Sequence, residues 1–185
     1  GTLLPPPERV ARLNDALPQI LAAVEGETDE IALEATLACL LWEAMPQTNW
    51  CGFYRRVAKD ELAVGPYQGG MGCLRISFAR GVCGACARTG ILQLVPDVAA
   101  FPGHIACDER ARSEIVVPVF DEGGEVAAVL DLDTIKSSLL DAITWVLWGK
   151  ARAKTDNELV HQGQTDMRVE FTFALRDQTY RVIRG

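Results

Sequence analysis

Asn49-Trp50-Cys51-Gly52-Phe53-Tyr54-Arg55-Arg56-Val57 is the stretch at which the texture of this chain changes. Before it, apolar residues recur at helical spacing: Val10, Leu13, Leu17, Ile20, Leu21 and Val24 within 8–25, then Ile31, Leu33, Leu37, Leu40 and Leu41 within 29–45. Thr28 or Asp29 can cap the second helix, and Pro46 stops it. From Asn49 onward the pattern is one of short apolar or aromatic runs between turn signals, at 50–57, 62–67, 92–95, 115–120 and 126–132. These read as strands, and Asp121-Glu122-Gly123-Gly124 makes the last two an antiparallel hairpin. Helices first and a mainly antiparallel sheet after them define an α+β fold.

Between the second and third runs, Gly69-Gly70 and the glycines of 81–84 bound segments expected to wrap over one end of the sheet. Long loops in a compact domain commonly carry function. Beyond Lys136, residues 137–150 show a further helical stripe of Leu139, Leu140, Ile143, Val146 and Leu147. A polar stretch follows, and period-two alternation in 167–175 and 179–183 around Arg176-Asp177-Gln178 predicts a terminal β-hairpin.

The chain has 185 residues, 49% of them hydrophobic, and a formal charge of −7. That balance argues against nucleic acid or an anionic membrane as partner, because an acidic surface repels polyphosphate. The charge is uneven: 136–185 holds eight Lys/Arg against six Asp/Glu, a surplus of +2 that leaves −9 on the remainder. No apolar run is long enough to span a bilayer and the first residues do not resemble a signal peptide, so a cytoplasmic location is expected. Six cysteines in a reducing compartment are core filler, metal ligands or redox groups rather than a disulfide scaffold.

Several ordered motifs narrow the choice. Asn49-Trp50-Cys51-Gly52-Phe53-Tyr54, Cys73-Leu74-Arg75-Ile76, Gly81-Val82-Cys83-Gly84, Phe101-Pro102-Gly103-His104-Ile105-Ala106-Cys107-Asp108, Ser113-Glu114-Ile115-Val116-Val117-Pro118 and Leu130-Asp131-Leu132-Asp133 follow one another in the chain. Over about residues 8–134 they resemble the free methionine-R-sulfoxide reductases, a GAF-domain family. The resemblance implies a GAF-like central antiparallel sheet and reduction of free L-methionine-R-sulfoxide. It further implies Cys107 as the attacking thiol, Cys73 as the main resolving thiol, and Cys83 as a third cysteine that assists recycling. An external dithiol such as thioredoxin is the implied reductant; no bound cofactor and no metal are implied.

The residues support that chemistry independently. Sulfoxide reduction leaves a cysteine sulfenic acid, which a second thiol converts to a disulfide. Three cysteines on Gly-bounded loops suit that demand, with His104, Arg110 or Arg112 near Cys107 to favour its thiolate. Glu114, Asp131 and Asp133 lie in or at the ends of apolar strands, where a lone charge is costly. Asp131 and Asp133 share a strand face by parity, and crowded carboxyls raise one another's pKa, providing a proton donor and a site for the substrate ammonium. Trp50 and Tyr54 also share a face, and the resemblance makes them walls for the sulfoxide methyl. Cys83-Gly84-Ala85-Cys86 spells C-x-x-C, but no second pair at ligand spacing accompanies it, so a closed zinc site is not expected. Cys86 is assigned to a helix face, Cys39 to a helical stripe and Cys51 to a buried strand position.

The reductase match ends at Asp133-Thr134. Lys136-Ser137-Ser138 through Tyr180-Arg181-Val182-Ile183-Arg184 resembles instead the N-terminal part of the SMC-like ATPase subunit of double-strand-break nucleases, entered inside its phosphate loop. The glycines of that loop are missing, and Asp131 and Asp133 would repel phosphate, so ATP hydrolysis is not expected. The chain therefore reads as a chimera, with a reductase domain over 1–134 and a foreign helix and β-hairpin over 135–185. The borrowed helix would replace a lost reductase helix, and the hairpin would be the first suspect in any homodimer. Two rival readings are a GAF-like binding module without catalysis, and a chimeric fold that retains an inactive ancestral site.

Overall fold

The computed structural model describes residues 6–105, 107–135, 169–175 and 178–184, and side chains over 12–105 and 107–135. Helices α1 (Pro6–Ala23) and α2 (Glu30–Ala44) open the chain. The Asp29 carboxylate caps α2 by accepting from Ala32 N at 2.8 Å, and Glu27 Oε1 accepts from the amides of Thr28 and Asp29. Strands β1 (Thr48–Ala58), β2 (Glu61–Gly69) and β3 (Arg75–Ser77) follow, then helix α3 (Gly81–Thr89), strand β4 (Gln93–Val95) and a short 3₁₀ turn at Val98–Ala100. Strands β5 (Ser113–Phe120) and β6 (Val126–Thr134) complete a six-stranded antiparallel sheet in the order β3-β2-β1-β6-β5-β4. This is the α+β arrangement expected, and the Asp121 turn closes as expected: Asp121 Oδ1 accepts from Glu125 N, with Gly124 at φ 82°.

Period-two alternation sends the strand residues to two different layers. On one face Cys51, Leu130, Leu132 and Ile115 pack with Leu13, Ala16, Leu41, Trp42, Ala44 and Met45 of α1, α2 and their junction. On the other face Trp50, Tyr54, Leu62, Val116 and Val129 pack with Val82, Cys83 and Cys86 of α3. Each fully buried aliphatic in these layers contributes about 1.5–3 kcal/mol relative to exposure. The helix α3 ends at Gly90, which takes the left-handed conformation (φ 64°) and donates its N–H to Cys86 O.

One expectation needs correction here. The sequence reading places Cys83 on a Gly-bounded loop, but Gly81 begins α3, and Cys83 lies inside it, 4% exposed. A nine-residue helix with glycines at two of its first four positions shows little apolar periodicity, because its face is covered by close backbone approach: a Cβ at Gly84 would stand 2.4 Å from Ser77 O.

The terminal hairpin forms as expected, with β7 (Val169–Leu175) paired antiparallel to β8 (Gln178–Arg184) in a separate two-stranded sheet. The expected helix over 137–150 lies outside the described residues.

Candidate active site

Register across three strands builds the floor of the site. Trp50 on β1, Asp133 on β6 and Glu114 on β5 lie in one cross-strand row; Gly52, Asp131 and Val116 form the next. Because Asp131 and Asp133 are two apart, both face the α3 side, where Cys83 Sγ lies 3.7 Å from Glu114 Oε1. Trp50 stacks on Tyr54 and on Tyr67, with ring centroids 5.2 Å apart in each pair.

The roof is the segment after the 3₁₀ turn. It is tied down by Gly81 N to Gly103 O at 3.0 Å, Val98 N to Arg112 O at 3.1 Å and Arg112 N to Thr134 O at 2.8 Å. Cys107 in this roof is joined to Cys73, on the loop between β2 and β3, by a disulfide with a Cα separation of 5.6 Å. That separation is ordinary for a disulfide, so neither loop is pulled out of its packing. Cys39, Cys51, Cys83 and Cys86 are free thiols.

Roof and floor enclose a cavity of about 30 Å³ lined by all eight residues singled out by sequence except Cys73: Trp50, Tyr54, Cys83, Cys107, Glu114, Asp131 and Asp133. Cys73 reaches the same place through its bond to Cys107. Sequence reasoning did not find Met71, Gly72 or Asp108, which also line it. Gly72 is required by close approach, since a Cβ there would stand 2.8 Å from the Tyr54 hydroxyl and 3.1 Å from Trp50 Nε1.

The electrostatics of the floor follow from burial without a cation. Burial, reinforced by the Asp133 charge, raises Glu114 to about 8. Burial, then the charge of Asp108, raises Asp133 to about 7. Asp131 is pushed well above the carboxylate range by burial and then by Asp133 and Glu114. Cys83 is pushed up by burial and by Asp131 and Glu114, so it stays a thiol near neutrality. Two polar atoms of the cavity wall, Trp50 Nε1 and Asp131 Oδ1, are buried with no hydrogen-bond partner among the described residues. Such atoms cost free energy unless a ligand meets them.

Asp108 behaves in the opposite way. Arg110 binds it through Nε and Nη2, and Asn49 Nδ2 donates to Oδ2 at 2.9 Å, which holds the carboxylate well below its usual range. Arg110 is thereby engaged by Asp108 rather than directed at sulfur. Arg112 Nη1 donates to the Glu109 and Ala111 carbonyls, and burial lowers the pKa of His104. Of the three cations considered for Cys107, only His104 reaches the cavity lining, and it is held toward its neutral form.

Cys83 Sγ, a Glu114 oxygen and an Asp131 oxygen also lie within 4.8 Å of one another, a donor set from α3, β5 and β6 that no sequence spacing announces.

A curled six-stranded antiparallel sheet with α1 and α2 on one face, and α3 and a loop-roofed pocket on the other, defines a GAF-type fold. The GAF domain model matches residues 27–145, and the chain belongs to that family. The match runs past the boundary placed at residue 134. Among its relatives is the free methionine-R-sulfoxide reductase of Saccharomyces cerevisiae, 40% identical over 131 residues, 65% of this chain and 73% of the relative. Protein YtsP of Bacillus subtilis is 44% identical over 69% of this chain and 78% of its own. Among solved structures, the free methionine-R-sulfoxide reductase from Neisseria meningitidis in complex with its substrate superposes with a TM-score of 0.65 at 44% identity, covering 69% of this chain and 76% of that one.

Proposed function

We propose that this chain reduces free L-methionine-R-sulfoxide to methionine, using Cys107 as nucleophile and Cys73 as resolving thiol. The observation that carries the reading is the Cys73–Cys107 disulfide set directly over the Glu114, Asp131 and Asp133 floor. Attack of the Cys107 thiolate on the sulfoxide sulfur passes the oxygen to the cysteine, giving methionine and a Cys107 sulfenic acid. Glu114, which burial keeps protonated near neutrality, supplies the proton that the departing oxygen needs. The Cys73 thiol then displaces water from the sulfenic acid, forming the disulfide seen here. A dithiol, thioredoxin-like in the cell, restores two thiols and is itself oxidised. Cys83 is a reserve thiol for recycling.

Trp50 and Tyr54 wall the sulfoxide methyl, with cation–π attraction favouring the developing positive sulfur. Asp131 and Asp133 receive the substrate ammonium. A join belongs to the same proposal: the sequence that follows the reductase domain, which the GAF match carries to residue 145 rather than 134, is foreign and completes or extends it, and the enzyme acts in the cytoplasm.

The test is direct. Protein incubated with free L-methionine-R-sulfoxide and dithiothreitol releases methionine, and Cys107→Ser does not; equal turnover by that variant overturns the assignment of Cys107. A second reading, a binding module without catalysis, is favoured by the likeness to a GAF sensor protein from Burkholderia vietnamiensis, 37% identical with a TM-score of 0.64. It predicts ligand affinity with no thiol consumed.

A further inference from the structure

We propose that the Cys83, Glu114 and Asp131 cluster binds a single divalent cation of the zinc class, with Cd²⁺ as its spectroscopic stand-in. The three donor atoms come from three rigid elements and lie within 4.8 Å of one another. The Cys83 Sγ to Glu114 Oε1 distance, 3.7 Å, is close to the edge of about 3.5 Å that tetrahedral zinc sets between a sulfur and an oxygen ligand. Small side-chain rotations close the remainder. Asp131 Oδ1, on a residue 4% exposed, has no hydrogen-bond partner among the described residues, so one oxygen of this carboxyl is open to a ligand.

The space fits as well. A water occupies about 10–15 Å³ measured in the same way, so a cavity of about 30 Å³ holds an ion and one retained water. Three protein ligands with an open fourth position facing the cavity is a coordination zinc commonly adopts. One sulfur and few oxygens suit zinc or cadmium and disfavour calcium and magnesium, which take six or more oxygens.

Charge gives the driving force. Among the described residues no Lys or Arg lines the cavity, so nothing there supplies positive charge to the three donors. A divalent cation supplies that charge to ligands held on three separate elements. Since the same carboxyls are proposed to hold the sulfoxide substrate, the ion excludes it, and zinc acts as an inhibitor that competes for the pocket. Binding of the ion itself does not depend on the reductase reading.

The experiment uses the full chain with Cys73→Ser and Cys107→Ser, which removes both the disulfide roof and two competing thiols. Titration with Cd²⁺ is expected to give one bound ion per chain and an ultraviolet sulfur-to-cadmium charge-transfer band. Adding Cys83→Ser removes the band, Asp131→Asn weakens binding by roughly tenfold or more, and Cys39→Ser leaves the band unchanged. Circular dichroism and urea unfolding establish that each variant is folded. No band in the folded double variant, or a band that survives Cys83→Ser, overturns the proposal. Loss of reductase activity in every form of the protein with the cadmium band intact would overturn the function proposed above and leave the metal site standing.

Discussion

Replacing Glu114 by Gln should change how stability depends on pH, and the size of the change follows from the geometry. An unfolded glutamate titrates near its ordinary value of 4.5, whereas the buried Glu114 is raised to about 8. Between those limits the folded protein holds a proton that the unfolded chain has released. Stability is therefore full below the unfolded value and declines as pH rises toward the folded one, by about 1.4 kcal/mol per pH unit for one retained proton. Asp133, raised to about 7, acts with the same sign. Asp108 is lowered, so its contribution is lost only under strongly acidic conditions, outside this window. Glutamine stays neutral throughout and presents an oxygen to the Cys83 thiol in the same way. From about pH 5.5 to about pH 7.5, the stability of Glu114→Gln relative to the parent should rise by roughly 2–3 kcal/mol. At a urea slope of roughly 2 kcal/mol/M, the midpoints should diverge by roughly 1 M over that range. Urea unfolding at several pH values, with the Cys73–Cys107 disulfide intact in both proteins, measures the difference. Stability curves that run parallel would refute the claim that Glu114 carries a proton in the folded state at neutral pH.

Three further outcomes are expected. In Cys73→Ser, one round of sulfoxide reduction should leave Cys107 as a sulfenic acid that dimedone traps and mass spectrometry detects; immediate disulfide formation with Cys83 instead would remove Cys73 from its proposed role. Gly52→Ala should destabilise by about 3 kcal/mol or more, because the added Cβ would stand 2.2 Å from Tyr67 Cβ and 2.6 Å from its Cα, forcing β1 and β2 apart; an unchanged urea midpoint would contradict the register. Leu62→Ala, at a position with no exposure in the α3-side layer, should cost about 2–5 kcal/mol by the same assay, and a loss below about 1 kcal/mol would argue against that layer being close-packed.

The strands were legible as short apolar or aromatic runs between turn signals, and once they were read as strands Trp50 with Tyr54 and Asp131 with Asp133 could be assigned to common faces by parity alone. What parity cannot give is register. That Trp50, Asp133 and Glu114 share one row depends on how β1, β6 and β5 slide against one another, and only the hairpin between β5 and β6 has a local signal for it. The helix α3 was legible only in part: Cys86 was assigned to a helix face, but the start of the helix was read as a loop because its glycines, which weaken helix propensity, are there for close approach to Ser77 and Ile105. The Asn49, Asp108 and Arg110 network was illegible because 59 residues separate the first two. Arg110 was considered as a partner for Cys107 on nearness in sequence, yet Asp108, two residues before it, captures the guanidinium first.

The floor of the cavity breaks the rule that buried charges come paired, and it does so three times within two strands. A structural explanation would put a Lys or Arg among the cavity-lining residues, as Arg110 is put against Asp108 nearby; among the described residues the lining contains none. The carboxyls instead carry protons that burial forces on them, next to an unpartnered Asp131 oxygen and an unpartnered indole N–H. A stability optimum would replace this cluster with apolar side chains that fill the space. Its presence is explained if the missing partner arrives from solution. Both the ammonium of an amino-acid sulfoxide and a zinc-class cation supply positive charge there, which is why the two proposals converge on one pocket and why each predicts competition by the other.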